Sequence, residues 1–267
     1  MRLLYINIVI LLVSVSNLPS QTVYDPTPLM PAKDRIPGYI GFIIGMGQNF
    51  QSGEFYVDCL DCVFEKGVAS GFTVGISYDR TLLPWLKYGI AGLYDYSGIK
   101  SSFVETEIIP FELKNSGIKE NIAVQFRHTG DIDLHYLTAM PYLKIEPVNF
   151  LFFRLGFGAA FVMGSAIKHD KELLEQEVTL SNGTTIYISI PGNNSYSSTI
   201  QNSEVRNLNT LQFYLMPAMG FKINFSETTY LMPYFQYNIP FTNISDNGKD
   251  FKINQWRILF ELGFKAH

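Results

Sequence analysis

Residues 71–78 read Gly71-Phe72-Thr73-Val74-Gly75-Ile76-Ser77-Tyr78. Every second residue is bulky and apolar, and the residues between are small or weakly polar. Alternation with period two puts the two sets on opposite faces of a strand. A half-buried strand of a soluble barrel would carry charges on its water face. Here that face is Gly, Thr, Gly and Ser. A greasy face backed by a small polar one fits a barrel wall whose outside meets lipid.

The pattern recurs along the chain. Ile40, Phe42, Ile44 and Met46 oppose Gly41, Gly45 and Gly47. Tyr88, Ile90, Tyr94 and Tyr96 oppose Gly89, Ala91, Leu93 and Asp95. Residues 131–146 form a fourth strand with a less clean register. Residues 151–163, 208–225, 230–241 and 251–264 follow, with Arg154, Lys222, Arg257 and Glu261 on the faces opposite the apolar stripes. About eight antiparallel strands result, each with the roughly 9–11 residues that cross a bilayer at a tilt. The fold class is an all-β, up-and-down transmembrane barrel, closed so that no edge meets lipid. Ten strands would result if residues 105–128 added a hairpin to the wall.

The connections alternate in length. Residues 79–86, 146–150 and 226–229 are short turns. Residues 51–67, 97–130 and 165–207 are long loops, and 242–250 is a medium one. Short turns at one rim and long loops at the other is the outer-membrane arrangement, with long loops outside. Within residues 165–207 a short helix is expected over Lys171 to Glu177, and a hairpin at Ser181-Asn182-Gly183. Aromatics near strand ends, including Tyr78, Trp85, Tyr88, Tyr142, Tyr230 and Trp256, suit interfacial girdles.

Ahead of the barrel, Arg2 and the apolar run Leu3–Val13 precede a small polar stretch ending at Ser20. This predicts a signal peptide over residues 1–20. A proline-rich leader follows over 21–37, and the barrel occupies 38–267. Bulk composition agrees. Charged residues are 16% of the chain against roughly 25% in ordinary soluble domains. The net charge of −4 supplies no general attraction to nucleic acid.

The segments GFTVGISYDRTLLPWLKYGIAGLYDYSG and YLTAMPYLKIEPVNFLFFRLGFGAAFVMG resemble the small outer-membrane β-barrel family of the PorT-like and OmpA-like type. The resemblance spans residues 38–267 and rests on pattern. It implies a bacterial outer-membrane location, insertion by the barrel-assembly machinery and contact with outer-membrane lipid. It permits a role as a secretion-system accessory.

Three residue groups are candidates for chemistry. Cys59 and Cys62 are spaced C-x-x-C in the first long loop, on the exported side where a disulfide persists. A loop disulfide is the leading reading. A thiol redox site would want a helix N-terminus, and a zinc site two further ligands. Asp131, Asp133 and His135 share one strand face and could hold a metal or an acid/base pair; a solvated strand above the membrane rim is the alternative. If that face is luminal, Leu137 and Ala139 are too, which demands a register change near Thr138 to Pro141. Arg154, Lys222, Arg257 and Glu261 form an expected luminal polar network, since a barrel this narrow fills with its own side chains. No catalytic motif, cofactor or metal is read from the chain. The functional expectation is a non-enzymatic barrel with a structural or surface-interaction role, meeting an extracellular or envelope protein partner. A lipid-modifying enzyme using His128 or His135 as base is a weaker rival, because no Ser lies two residues from either on the same face.

Overall fold

Each strand of the wall pairs with the next in sequence, and the last returns to the first. The strands are β1 (Gly38–Tyr56), β2 (Val68–Leu83), β3 (Leu86–Glu112), β4 (Lys119–Val148), β5 (Leu151–Leu173), β6 (Leu211–Phe221), β7 (Thr229–Pro240) and β8 (Gly248–Ala266). All pairings are antiparallel, and Gly38 lies opposite Ala266 where β8 closes on β1. The computed structural model describes residues 38–57, 62–112, 119–190 and 195–266. The expected signal peptide and leader lie outside the described residues.

Closure follows from the backbone's needs, because a spanning sheet with a free edge would leave N–H and C=O groups unpaired in hydrocarbon. The outer face shows what solvent the wall was built for. Met46 is 72% exposed and Ile44 62%. Phe72, Ile76, Leu155, Phe157, Phe161, Ile258 and Phe260 are exposed with them. Water would penalise such a contiguous belt by roughly 25 cal/mol for each Å²; lipid does not. The ring is therefore a transmembrane barrel, and each outward-facing apolar stripe read from the sequence lies on that belt.

Two-residue turns join β2 to β3 at Pro84-Trp85 and β4 to β5 at Asn149-Phe150. These and the β6–β7 turn share a rim with Gly38 and Ala266. The opposite rim departs from expectation. Much of residues 97–130 and 165–207 is sheet, not loop. β3 and β4 continue in unbroken register from Leu86↔Ile145 to Glu112↔Lys119. β5 follows them, and Ser197–Ser203 adds a further strand against it. Past Ser97, about 15 residues of β3 add roughly 50 Å of strand beyond the belt. Residues 105–128 thus belong to this extension and add no strand to the wall, so the wall has eight strands.

The expected helix over Lys171 to Glu177 is also absent. β5 runs to Leu173, held by Phe126↔Leu173 and His128↔Lys171. Cross-strand pairing overrides the helix preference of the Lys-Glu-Leu-Leu-Glu run. The expected hairpin is present: Glu177–Thr179 pairs with Thr185–Tyr187, and Gly183 turns at φ 82°. One bulge matters for the site. His135 faces Gly164 while Tyr136 faces Val162, so Met163 is an extra residue in β5. Inward positions on β5 are even-numbered below it, as at Arg154, and odd-numbered above it, as at His169.

Candidate functional site: a filled lumen beneath an external sheet

The lumen is best followed along β8, whose inward positions rise from the turn rim as Glu261, Leu259, Arg257, Gln255, Ile253 and Phe251. Each layer has a different chemistry. At the turn rim, Glu146 gathers Lys87 at 2.9 Å, Lys222 at 3.2 Å and Lys144 at 3.9 Å. Lys144 is also paired with Asp79. One level up, Arg154 meets Glu261 at 2.5 Å with both side chains fully buried. Ser77 donates to the same carboxylate at 3.0 Å. The Arg154 guanidinium lies over the Tyr142 ring at 4.6 Å and the Tyr234 ring at 4.9 Å. A buried charge demands such company, because unpaired burial is costly.

The third level is neutral apart from Arg257 and Asp95. Arg257 donates to Asn49 at 2.8 Å and Thr73 at 3.3 Å. Asp95 accepts from Thr73 at 2.5 Å and Thr138 at 3.1 Å. Gly71 makes room for this layer, since a Cβ there would stand 2.6 Å from Arg257 Nη2. Above it the lumen turns apolar. Ile99, Ile132, Leu134, Ile253, Phe55, Phe64 and Phe251 are all buried, and Phe55 stacks on Phe64 at 4.8 Å. Charge and hydrocarbon together fill the barrel across its width.

All four luminal residues named from sequence point inward, but in three groups. Arg154 and Glu261 pair with each other; Lys222 sits with Glu146 at the rim; Arg257 belongs to the amide layer. Sequence reasoning missed Asp79, Lys87, Lys144 and Glu146. Their signal was the phase of the strand: Lys87 continues the inward series Ala91 and Gly89, and Lys144 continues Met140 and Tyr142. They were passed over because they sit beside the short turns, where alternation is brief.

Asp131, Asp133 and His135 face out, not into the lumen. Ile132, Leu134 and Tyr136 take the inward positions. Tyr94 Oη bonds His135 Nδ1 at 2.8 Å, and Tyr96 donates to Asp133. Asp131 lies 3.9 Å from Lys100 in solvent. Partial burial lifts the Asp131 carboxyl, with Lys100 opposing. No register change occurs at Thr138 to Pro141, because Leu137 shares the outward face. The irregularity is the Met163 bulge on the partner strand.

Beneath the external sheet sits a cluster that the sequence did not bring together. His128 of β4 and His169 of β5 approach within 2.9 Å, Nδ1 to Nε2. Phe103 stacks on the His128 ring at 4.9 Å, and Cys62 Sγ lies 3.8 Å from His128 Nδ1. Cys62 is disulfide-bonded, and Cys59 lies outside the described residues. Burial holds both imidazoles below their usual value, Lys171 adding to the effect at His128. His169, with His128 beside it, is pushed down to about 4. Further out, Ile122, Val124, Phe126, Leu173 and Leu180 form a second apolar core that seats the small hairpin on the sheet.

No protein-family model matches the chain, and no curated protein sequence matches it. Solved structures of similar outline are membrane barrels. The attachment invasion locus protein Ail of Yersinia pestis, in complex with the heparin analogue sucrose octasulfate, is 14% identical, with a TM-score of 0.33 over 85% of this chain and 99% of that one. Neisserial surface protein A is 12% identical, with a TM-score of 0.39 over 86% and 97%. The outer membrane protease OmpT of Escherichia coli is 9% identical, with a TM-score of 0.32 over 90% and 99%. At these scores the likenesses carry no argument about residues or activity in this chain.

Proposed function

We propose that this chain is a bacterial outer-membrane barrel without catalytic activity whose work is done by the sheet it holds outside, where it captures an extended segment of a protein partner. The open edge of β3 carries the reading. Among the described residues, positions 102–110 of β3 pair only with β4, because β2 leaves the sheet at Val68. The outward residues there are Ser102, Val104, Thr106, Ile108 and Pro110, with no charge among them. Val104 and Ile108 are 55% and 71% exposed. An unpaired strand edge whose outward face carries no charge is a template for an added strand.

The lumen supports the same reading from the other side. Buried salt bridges and stacked phenylalanines occupy the path a solute would take, so transport through the barrel is disfavoured. The finer affinity to PorT-like or OmpA-like barrels rests on the two quoted segments alone. It leaves a secretion-accessory role as the second reading, which normal secretion in a deletion strain would remove.

The test is surface photo-crosslinking from position 106 in intact cells, comparing the native chain with V104K/I108K. The proposal requires a discrete crosslinked protein that the double variant loses while its unboiled gel mobility is unchanged. Identical crosslinking by both, or none by either, sinks it.

A further inference from the structure

We propose that Glu105, Glu107 and His128 form a binding site for a divalent transition-metal ion at the base of the external sheet. The inference is independent of the partner reading above. His128 is 3% exposed, and its Nε2 is buried without a hydrogen-bond partner. Buried polar atoms are seldom left so. That nitrogen is aimed at two carboxylates, 3.6 Å from Glu105 Oε2 and 4.0 Å from Glu107 Oε1. Both separations are too long for a hydrogen bond; the first matches the span of two ligands of one ion, and the second is a little wider. With metal–ligand bonds of roughly 2.0–2.2 Å, tetrahedral ligand atoms stand about 3.3–3.6 Å apart. The two glutamates are only partly buried, so small rotamer adjustments close the difference.

The strands explain why these three meet. Phe103 lies directly opposite His128 in the β3–β4 ladder, and Glu105 and Glu107 follow it on the same face. Two alternate carboxylates on one strand therefore reach the imidazole on the next. The far side of the imidazole is held as metal-binding histidines usually are. Its Nδ1 is hydrogen-bonded to His169 Nε2 at 2.9 Å, and Phe103 stacks flat on the ring with an interplanar angle of 7°. Such contacts fix the tautomer and orientation, leaving Nε2 free to bind metal. The donor set is one imidazole and two carboxylates, a borderline set suited to zinc and its neighbours, with room for water.

Two neighbours bear on the site. Lys171 is paired with Glu107 and competes for it. Cys62 Sγ lies close to His128 and His169, and the three could make an alternative set. A disulfide-bonded sulfur offers no thiolate, which favours the carboxylate side.

The experiment uses the full chain purified in detergent, stripped with chelator and titrated with zinc chloride by calorimetry. X-ray absorption of the loaded protein follows. The proposal requires one zinc per chain and a nitrogen/oxygen first shell. It further requires at least tenfold weaker binding in E105Q and in E107Q, whose partly exposed side chains can change without unfolding the sheet. K171M, which releases Glu107, should bind more tightly. H128N should abolish binding, with retained gel heat-modifiability showing that the barrel still folds. Absent stoichiometric binding, binding unchanged in E105Q/E107Q, or a zinc–sulfur shell would each overturn the assignment.

Discussion

Arg154 and Glu261 stand 107 positions apart in the chain and meet at 2.5 Å in the middle of the barrel, with neither side chain reaching solvent. The pair ties β5 to β8 across the lumen. Neither residue is paired with the other in any strand ladder. Its energetics are asymmetric: making such a pair gains little, and breaking it strands a charge in a dry place. Glu261→Ala should therefore destabilise the barrel by roughly 3–5 kcal/mol, while R154M/E261L should recover most of the loss. Urea titration in lipid, followed by the fraction that migrates fast unboiled, measures both. Equal losses in the single and double variants would show that the pair is not the stabilising unit.

The space at Gly71 is reserved for Arg257. A methyl group there would stand 2.6 Å from the guanidinium and 2.5 Å from the Tyr96 carbonyl oxygen, which belongs to the wall and cannot yield. Gly71→Ala should cost roughly 1–3 kcal/mol, the usual range for overpacking. The same urea titration checks it. A variant as stable as the native chain would mean that Arg257 has another low-energy position.

The Phe55–Phe64 stack roofs the lumen and floors the external sheet. Phe64→Ala removes a fully buried ring and should cost about 3–5 kcal/mol locally. The loss should appear first as protease cleavage at residues 62–67 or 100–105, with the membrane belt still protected. Cleavage no faster than in the native chain would contradict the packing described.

The outward cluster should be nearly silent in stability. D131N, D133N and H135Q touch partly exposed groups, and the Asp131–Lys100 contact is 3.9 Å long in solvent. Exposed pairs of this kind contribute about 0–1 kcal/mol. Urea midpoints should move little in any of the three. A loss above about 2 kcal/mol would assign these residues a structural duty not evident from their contacts.

An open conduction path is not expected. In planar bilayers the native chain should give no steady single-channel steps, because buried side chains fill each level from Glu146 to Phe251. Reproducible steps from pure protein would require the plug to move.

The membrane part of the fold was legible because lipid imposes a sharp contrast. Ile40, Phe42, Ile44 and Met46 must be apolar, while Gly41, Gly45 and Gly47 must be small, and the phase cannot slip. Above the belt that contrast disappears. Val104 and Ile108 face water, Phe103 and Ile109 face protein, and either face tolerates both kinds of residue. The strands from Ser97 to Glu112 and from Lys119 to Gly130 therefore looked like loop. The luminal charges were half legible: Arg154 and Glu261 stand in long alternating runs, whereas Lys87 and Glu146 stand at run ends. The meeting of His128 with His169 was beyond reach, because it depends on the Met163 bulge, and one extra residue in β5 inverts the phase of everything after it.

β4 runs without interruption from the turn at Asn149 to Lys119 near the tip of the external sheet. Anything that seizes the tip and pulls away from the cell loads that strand along its length. The ladder bonds to β3 and β5 lie across the pull, so they bear it together in shear instead of parting one at a time. A tug at the surface is thereby shared around the barrel wall, and the protein serves as an anchor post whose grip does not depend on any single bond.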